Sequence, residues 1–283
     1  MLVKVIEPVG FCQSVNNTIE QAKEIAKKHH GQNVYVFGYL VHNEKVINGL
    51  SLYGIKTIDL NSVDPIQRLN DFNNDDVLIF TAHGHPLEYE VILNNRGVTF
   101  YGLTCPIIKE YLSKLAQAKT AIYIGKKNHP ETLAALSVNQ NIRFIDIDAS
   151  IDLNGVSTDV EVFNQTTISI DLLNTIHEQI KGVIPNAILH NNICPLTLLR
   201  QKALANLSDD IDVIFVVGST KSSNTKELFE TAKKMYPNKQ VFFVEDASSL
   251  LNIDLSNIKS AAITSGTSTP LQVVEEVKAY LEK

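Results

Sequence analysis

Cys12, Cys105 and Cys194 are the only thiols in the 283-residue chain, and they divide it at nearly equal intervals. Cys105 closes an apolar run in Thr104-Cys105-Pro106 and leads into a helix-like pattern. Cys194 repeats that setting in Asn192-Ile193-Cys194-Pro195, and Cys12 follows Val3-Lys4-Val5-Ile6 and Gly10-Phe11. Proline suits the first helical turn, where its missing N–H is not needed, so each thiol is expected where a strand gives way to a helix. Singly, such a cysteine reads as a small buried hydrophobe. As a set, three thiols are an odd number with no sign of secretion, which speaks against disulfides. A zinc site is open to them, although the close C-x2-C pairs of most structural zinc sites are missing. Three thiolates from three units can also hold an iron–sulfur cluster with one iron free of cysteine and available for chemistry. In that case the three sulfurs converge.

A second set of residues shares the same setting. His42, His83, His129, Thr166, Ser222, Asn224 and Ser268 all follow apolar runs that read as strands and precede helical patterns. In open α/β sheets that edge is where ligands bind, and helix N-termini there suit phosphate. Neither a G-x-x-x-x-G-K-[ST] loop nor a G-x-G-x-x-G fingerprint is present, so nucleotide binding has no specific support. Each residue also has a structural reading. Ser222, Ser223 and Asn224 suit a helix cap, the histidines suit hydrogen bonding, and His29 and His30 suit a solvated helix end. Glu131 suits the positive end of a helix dipole or, beside His129, proton transfer.

The elements that would position these residues alternate. Strands are expected near 3–6, 34–37, 55–58, 77–82, 120–124, 143–147, 160–163, 213–217, 240–244 and 261–264, with amphipathic helices between most of them. The first helix has Ser14 or Asn16 as its candidate cap and Gly31 as its stop; Asn43 caps the second. Continuous apolar strands separated by helices predict an α/β protein with mostly parallel sheets. Three units of about 95 residues fit the common domain size. They would cover residues 1–100, 101–192 and 193–283, with the N-terminal strand free to pair elsewhere. Hydrophobic residues at 44% and charged residues at 20% describe an ordinary globular chain. A net charge of −6 argues against extended nucleic-acid contacts. No apolar run approaches the ~18 residues of a membrane span, and the N-terminus has no signal-peptide core, so a cytoplasmic protein is expected.

The motifs converge on one family. Gly10-Phe11-Cys12, Val41-His42-Asn43, Ala82-His83-Gly84, Thr104-Cys105-Pro106, His129-Pro130-Glu131, Gln165-Thr166-Thr167, Cys194 with Arg200-Gln201, Ser222-Ser223-Asn224 and Gly266-Thr267-Ser268 occur in that order. Together they resemble the 4-hydroxy-3-methylbut-2-enyl diphosphate reductases, enzymes of the non-mevalonate isoprenoid pathway. The resemblance implies three similar α/β lobes arranged pseudo-threefold around a [4Fe–4S] cluster held by Cys12, Cys105 and Cys194, with one iron not ligated by cysteine. It also implies that His42, His83, His129, Ser222, Ser223, Asn224 and Ser268 bind a diphosphate substrate, while Thr166 and Glu131 work at its hydroxyl. The reaction would be a two-electron reductive dehydroxylation to isopentenyl and dimethylallyl diphosphates, fed by a ferredoxin- or flavodoxin-type electron donor. An alternative on the same scaffold is a non-catalytic iron–sulfur or zinc protein that senses redox state or carries electrons. The chain departs from the usual family pattern at Gly102, at Thr132 to Leu136, after Cys12 and Cys194, and at His85-Pro86, which marks a divergent member.

Overall fold

Val77-Leu78-Ile79-Phe80 and the run from Val213 to Val217 are apolar at every position, so strands made from them must be covered on both faces. In the structure, a computed structural model that describes residues 1–61 and 63–283, these runs lie in the middle of two of three parallel sheets. The first part of the chain holds β1 (Leu2–Val5), α1 (Gln13–Lys28), β2 (Asn33–Phe37), α2 (Glu44–Ser51), β3 (Ile55–Ile58), α3 (Pro65–Leu69), β4 (Asp76–Phe80), α4 (Leu87–Asn95) and β5 (Thr99–Gly102). The middle holds α5 (Pro106–Gln117), β6 (Ala121–Gly125), α6 (Pro130–Ser137), β7 (Ile142–Asp146), β8 (Glu161–Asn164), α7 (Ile170–Val183) and β9 (Ile188–Leu189). The last part holds α8 (Pro195–Leu204), β10 (Val213–Val217), α9 (Ser223–Met235), β11 (Gln240–Val244), a 3₁₀ segment (Ala247–Asn252), β12 (Ser260–Ser265) and α10 (Leu271–Leu281). No helix among the described residues is long and apolar enough to cross a membrane.

One pattern is used three times. The sheet orders are β3-β2-β4-β5, β7-β6-β8-β9 and β11-β10-β12-β1, and every ladder is parallel. The order reverses between β2 and β4, between β6 and β8, and between β10 and β12, which places a ligand-accepting crevice at the carboxyl ends of each pair. The N-terminal strand, whose partner the sequence leaves open, supplies the fourth strand of the third sheet, with Leu2 opposite Ser260 and Val5 opposite Ile263. The first sheet runs on through Gly102 in β5, just past residue 100.

The helix after each fourth strand covers the next sheet in the ring. Ile19, Ala22 and Ile25 of α1 pack with Val34, Val36, Val77 and Ile79 of the first sheet, although β1 belongs to the third. Likewise Ile108, Tyr111 and Leu115 of α5 pack on Ala121, Tyr123 and Phe163 of the second sheet, and Leu204 of α8 packs with Ile214 and Val216 of the third. Each sheet thus has an apolar cluster on both faces, and each seam between lobes is a strand-to-helix crossover that carries one cysteine.

Some local expectations change. The cap of α1 is Cys12, neither Ser14 nor Asn16, because its Sγ accepts the Val15 N–H at 3.3 Å and the helix begins at Gln13. Three short elements, α3, α4 and the 3₁₀ segment, have little sequence signal. In α4 only Tyr89 and Leu93 are buried, too few to set a period. His29 is not merely solvated, since its ring bonds the Tyr101 hydroxyl at 2.8 Å.

Candidate active site

The three cysteines are the N-cap residues of α1, α5 and α8. Each is tied by its backbone N–H to the loop after the third strand of the sheet it leaves. Cys12 donates to the Thr267 carbonyl at 3.3 Å, Cys105 to Ala82 at 3.0 Å and Cys194 to Thr166 at 2.9 Å. All three thiols are partly buried. Burial pushes the Cys12 thiol up, the Val15 N–H opposes it, and the Cys194 and Cys105 sulfurs push it up further, so both lie within electrostatic reach of Cys12. Among the described residues no three His, Cys, Asp or Glu side chains gather tightly enough for a single metal ion.

Arg200 ties two of the three cysteine segments together. The residue is 2% exposed; its guanidinium donates through Nη1 to the Ser265 carbonyl and through Nη2 to the Gly10 carbonyl at 2.6 Å, and it has no carboxylate partner within ion-pair distance among the described residues. Burial lowers its pKa to about 10, and the Cys12 and Cys194 sulfurs oppose that shift. Gly10 and Ser265 are further joined by a 3.0 Å bond, so one arginine ties α8 to the Cys12 loop and to the end of β12. Arg200→Met should lower stability in urea unfolding by about 3 kcal/mol, because two buried carbonyls lose their donor. An unchanged midpoint would show that water replaces the guanidinium.

The other expected site residues fall into two groups by strand. His42, His129 and Ser222 to Asn224 follow β2, β6 and β10, whereas His83, Thr166 and Ser268 follow β4, β8 and β12. His83 and His129 meet edge to face with ring centroids 5.5 Å apart. His129 Nδ1 caps α6 by accepting the Glu131 N–H at 3.2 Å, which leaves its Nε2 as the protonated nitrogen. Burial brings His83 to about 4 and His129 to about 3, each lowered further by its histidine neighbours, so both rings are neutral donors at pH 7. His42 is lowered as well, by burial first and then by Lys221, with Lys226 acting in the same direction and Asp59 opposing. Its buried Nδ1 has no partner among the described residues.

The third lobe completes the rim. Ser222 caps α9 by accepting the Thr225 N–H at 3.4 Å and also accepts from the Ser268 hydroxyl at 3.0 Å. Ser223 joins Thr167 at 3.2 Å and Gln165 at 3.3 Å, which links the second lobe to the third. Asn224 is committed to a bridge, donating to Thr197 at 2.9 Å and accepting the Thr267 N–H at 2.9 Å. Gly218, with φ of +148°, ends β10 because a Cβ there would meet Thr269 Oγ1 at 2.5 Å and Thr225 Oγ1 at 2.8 Å.

Glu131 occupies in the second lobe the place that Asn224 has in the third, the second residue of the helix. It is fully buried, and three donors reach it. The Thr166 N–H bonds Oε1 at 2.7 Å, the Tyr111 hydroxyl bonds Oε1 at 2.9 Å, and the Thr166 hydroxyl bonds Oε2 at 2.8 Å. Burial raises its pKa to about 7 against the lowering effect of these bonds, so the carboxyl exchanges a proton near neutrality. Arg200 and Gln165 enter the sequence reading only as members of motifs, and Tyr111 is missed altogether because it sits among Ile108 and Leu115 and reads as core.

A ring of three equivalent sheets with a thiol at each seam defines a class: a triplicated α/β protein whose reactive side chains come from every lobe. The chain belongs to the LytB protein family, whose model matches residues 3–282. It is 34% identical to the 4-hydroxy-3-methylbut-2-enyl diphosphate reductase of Malacoplasma penetrans, over 98% of this chain and 96% of that protein. With the same-named enzyme of Bacillus cereus it shares 33% identity over 100% of this chain and 90% of that one. Its fold is similar to the solved E-1-hydroxy-2-methyl-but-2-enyl-4-diphosphate reductase of Plasmodium falciparum, with a TM-score of 0.83, 27% identity and coverage of 99% of this chain and 87% of the other. A second solved structure, of an (E)-4-hydroxy-3-methyl-but-2-enyl diphosphate reductase, has a TM-score of 0.66 and 26% identity, covering 100% of this chain and 99% of that one.

Proposed function

We propose that the chain reduces 4-hydroxy-3-methylbut-2-enyl diphosphate to isopentenyl and dimethylallyl diphosphates. The observation that carries this is the buried Glu131–Thr166 pair beside the Cys194 crossover, with Cys194 N–H bonded to the Thr166 carbonyl. A redox sensor or electron carrier has no use for such a carboxyl. The donor set fits a [4Fe–4S] cluster held by Cys12, Cys105 and Cys194. A single zinc would draw its sulfurs in to bonds of about 2.3 Å, whereas a cluster spreads its thiolates over separate irons. When bound, the cluster supplies electrons and a Lewis-acidic iron without a cysteine ligand. The electrons come from a small carrier protein of the ferredoxin or flavodoxin type.

The residues of the chain bind the substrate and move its protons. Neutral His83 and His129, with His42 and the hydroxyls of Ser222, Ser223 and Ser268, offer donors to a diphosphate without fixed counter-charges. Asn224 belongs to the same set: it holds two of the loops that carry them and has a second amide N–H to give. The C–O bond breaks and a C–H bond forms, consuming two electrons and two protons and releasing water. In the carboxylate form Thr166 donates to Oε2; once Oε2 is protonated the bond turns round, so that Glu131 passes its proton to Thr166 Oγ1 as the freed threonine hydroxyl gives its own to the leaving hydroxyl. The threonine stands between acid and substrate, so the carboxyl stays buried and near its neutral-range pKa.

The anion role is tested with Ser222→Gly/Ser268→Ala, because glycine keeps most of the α9 cap that Ser222 supplies, whereas replacing Asn224 would break its bridge. Contacts to a non-reacting diphosphate exist in both ground and transition states, so KM should rise about tenfold or more with kcat within about threefold of wild type. Anaerobic turnover with a chemical reductant measures both. An unchanged KM excludes these hydroxyls from binding.

A further inference from the structure

Two tyrosines stand in the core behind Glu131. Tyr111 lies on α5 and is 3% exposed; Tyr123 lies on β6 and is fully buried. Their hydroxyls are 3.3 Å apart, and their rings stack with centroids 6.4 Å apart. Tyr111 has one proton, which it gives to Glu131 Oε1, so Tyr123 is the donor in the contact between the two hydroxyls. The chain leaves room for this pair. A Cβ on Gly125 would meet Thr132 Oγ1 at 2.6 Å and the Tyr123 ring at 2.8 Å.

The count of lone pairs decides what the tyrosine does. Oε1 accepts from Tyr111 and from the Thr166 N–H, which uses both of its acceptor positions. Among the described residues Oε2 accepts only from the Thr166 hydroxyl, which leaves one of its positions free. We propose that Tyr111, oriented by Tyr123, is a positioning residue that keeps Glu131 Oε1 an acceptor and so confines the exchangeable proton to Oε2, the oxygen paired with Thr166. The inference rests on the reading of Glu131 as the acid. In the third lobe the corresponding residue, Asn224, also meets the cysteine-capped helix, but there the direction is reversed, its amide donating to Thr197 of α8 where Glu131 accepts from Tyr111 of α5.

The groups facing Glu131 are Tyr111 from α5, the loop residue Thr166 after β8, and His129 at the cap of its own helix, with Tyr123 of β6 behind Tyr111. Among the described residues no cation lies within ion-pair distance of it. Tyr111 is therefore one of only two residues whose hydrogen bonds stabilise the charged carboxylate against its burial. Losing it makes the carboxyl hold its proton to higher pH and release it more reluctantly.

The experiment uses Tyr111→Phe and Tyr123→Phe in the cluster-loaded enzyme. The carbonyl band of protonated Glu131 is followed by infrared difference spectroscopy against pH, and is identified by its absence in Glu131→Gln. In Tyr111→Phe the midpoint should rise by about one pH unit, the alkaline limb of kcat/KM should move with it, and kcat on the acid plateau, where the carboxyl is protonated in both enzymes, should fall severalfold with KM unchanged. Tyr123→Phe removes a hydroxyl from the same core but keeps the donor to Oε1, so its midpoint should move less than half as far. An unmoved midpoint in Tyr111→Phe, or an equal shift in both variants, overturns the inference. A midpoint that moves while the kinetic limb stays in place supports the role of Tyr111 toward the carboxyl and overturns Glu131 as the acid.

Discussion

Glu131→Gln should retain its cluster and bind substrate while turnover falls by about 10²–10⁴. Glutamine keeps the size of the side chain, and its carbonyl oxygen can still accept from Tyr111 and the Thr166 N–H at the Oε1 position. Its amide nitrogen then takes the place of Oε2 and donates to Thr166 Oγ1, so the threonine has nothing from which to regain a proton. In the wild type kcat/KM should be level in acid and fall above about pH 7, as the carboxyl loses its proton. A stability readout separates this from misfolding. A carboxyl whose folded pKa lies above its unfolded value contributes stability that is fully present below the unfolded pKa and is lost as pH rises through the folded one. The buried carboxylate thus weakens the wild type at pH 8, and Glu131→Gln should melt higher there by the equivalent of roughly 2 kcal/mol, with the gap closing toward pH 4. Turnover within about threefold of wild type, after cluster content is matched, would assign the proton to another group.

Cys12→Ser should lose turnover entirely, together with bound iron and acid-labile sulfide. Loss of fold cannot account for such a result. Cys12 caps α1 through its sulfur, and serine is a strong cap in the same position, so the helix is kept or slightly strengthened. Cys105 and Cys194 make no side-chain cap bond, and serine there is equally neutral for the helices. The loss in each variant therefore reports the thiolate, since iron–sulfur clusters depend on cysteine sulfur. Metal and sulfide analysis beside anaerobic turnover checks it. A serine variant with full iron, full sulfide and activity would remove that cysteine from the site, and stoichiometric zinc in the wild type would favour a zinc protein.

Much of the architecture is legible before any coordinates. The strands at 55–58, 213–217 and 240–244 begin and end where the residue pattern puts them, because apolar runs bounded by turn residues leave little freedom. The short α3 and α4 are not legible, since each buries too few side chains to show a period. The caps divide in the same way. Asn43 is readable as an amide oxygen before a helix, whereas Cys12 displaces Ser14 and Asn16 because the loop bonded to Thr267 sets where the helix starts.

For the site, the sequence by itself determined which residues stand at strand-to-helix junctions, and hence that thiols, imidazoles, hydroxyls and one carboxyl share the ligand-accepting edge of parallel sheets. That follows from local patterning, which is written in neighbouring residues. Only the tertiary structure decided that β1 closes the third sheet, so that Cys12 lies at a seam equivalent to those of Cys105 and Cys194. It alone placed Thr166 and Tyr111 on Glu131 and brought the carboxyl to about 7. The physical reason is that a pKa depends on desolvation and on donors far apart in the chain, and neither has a signature in the residues adjacent to the one that titrates.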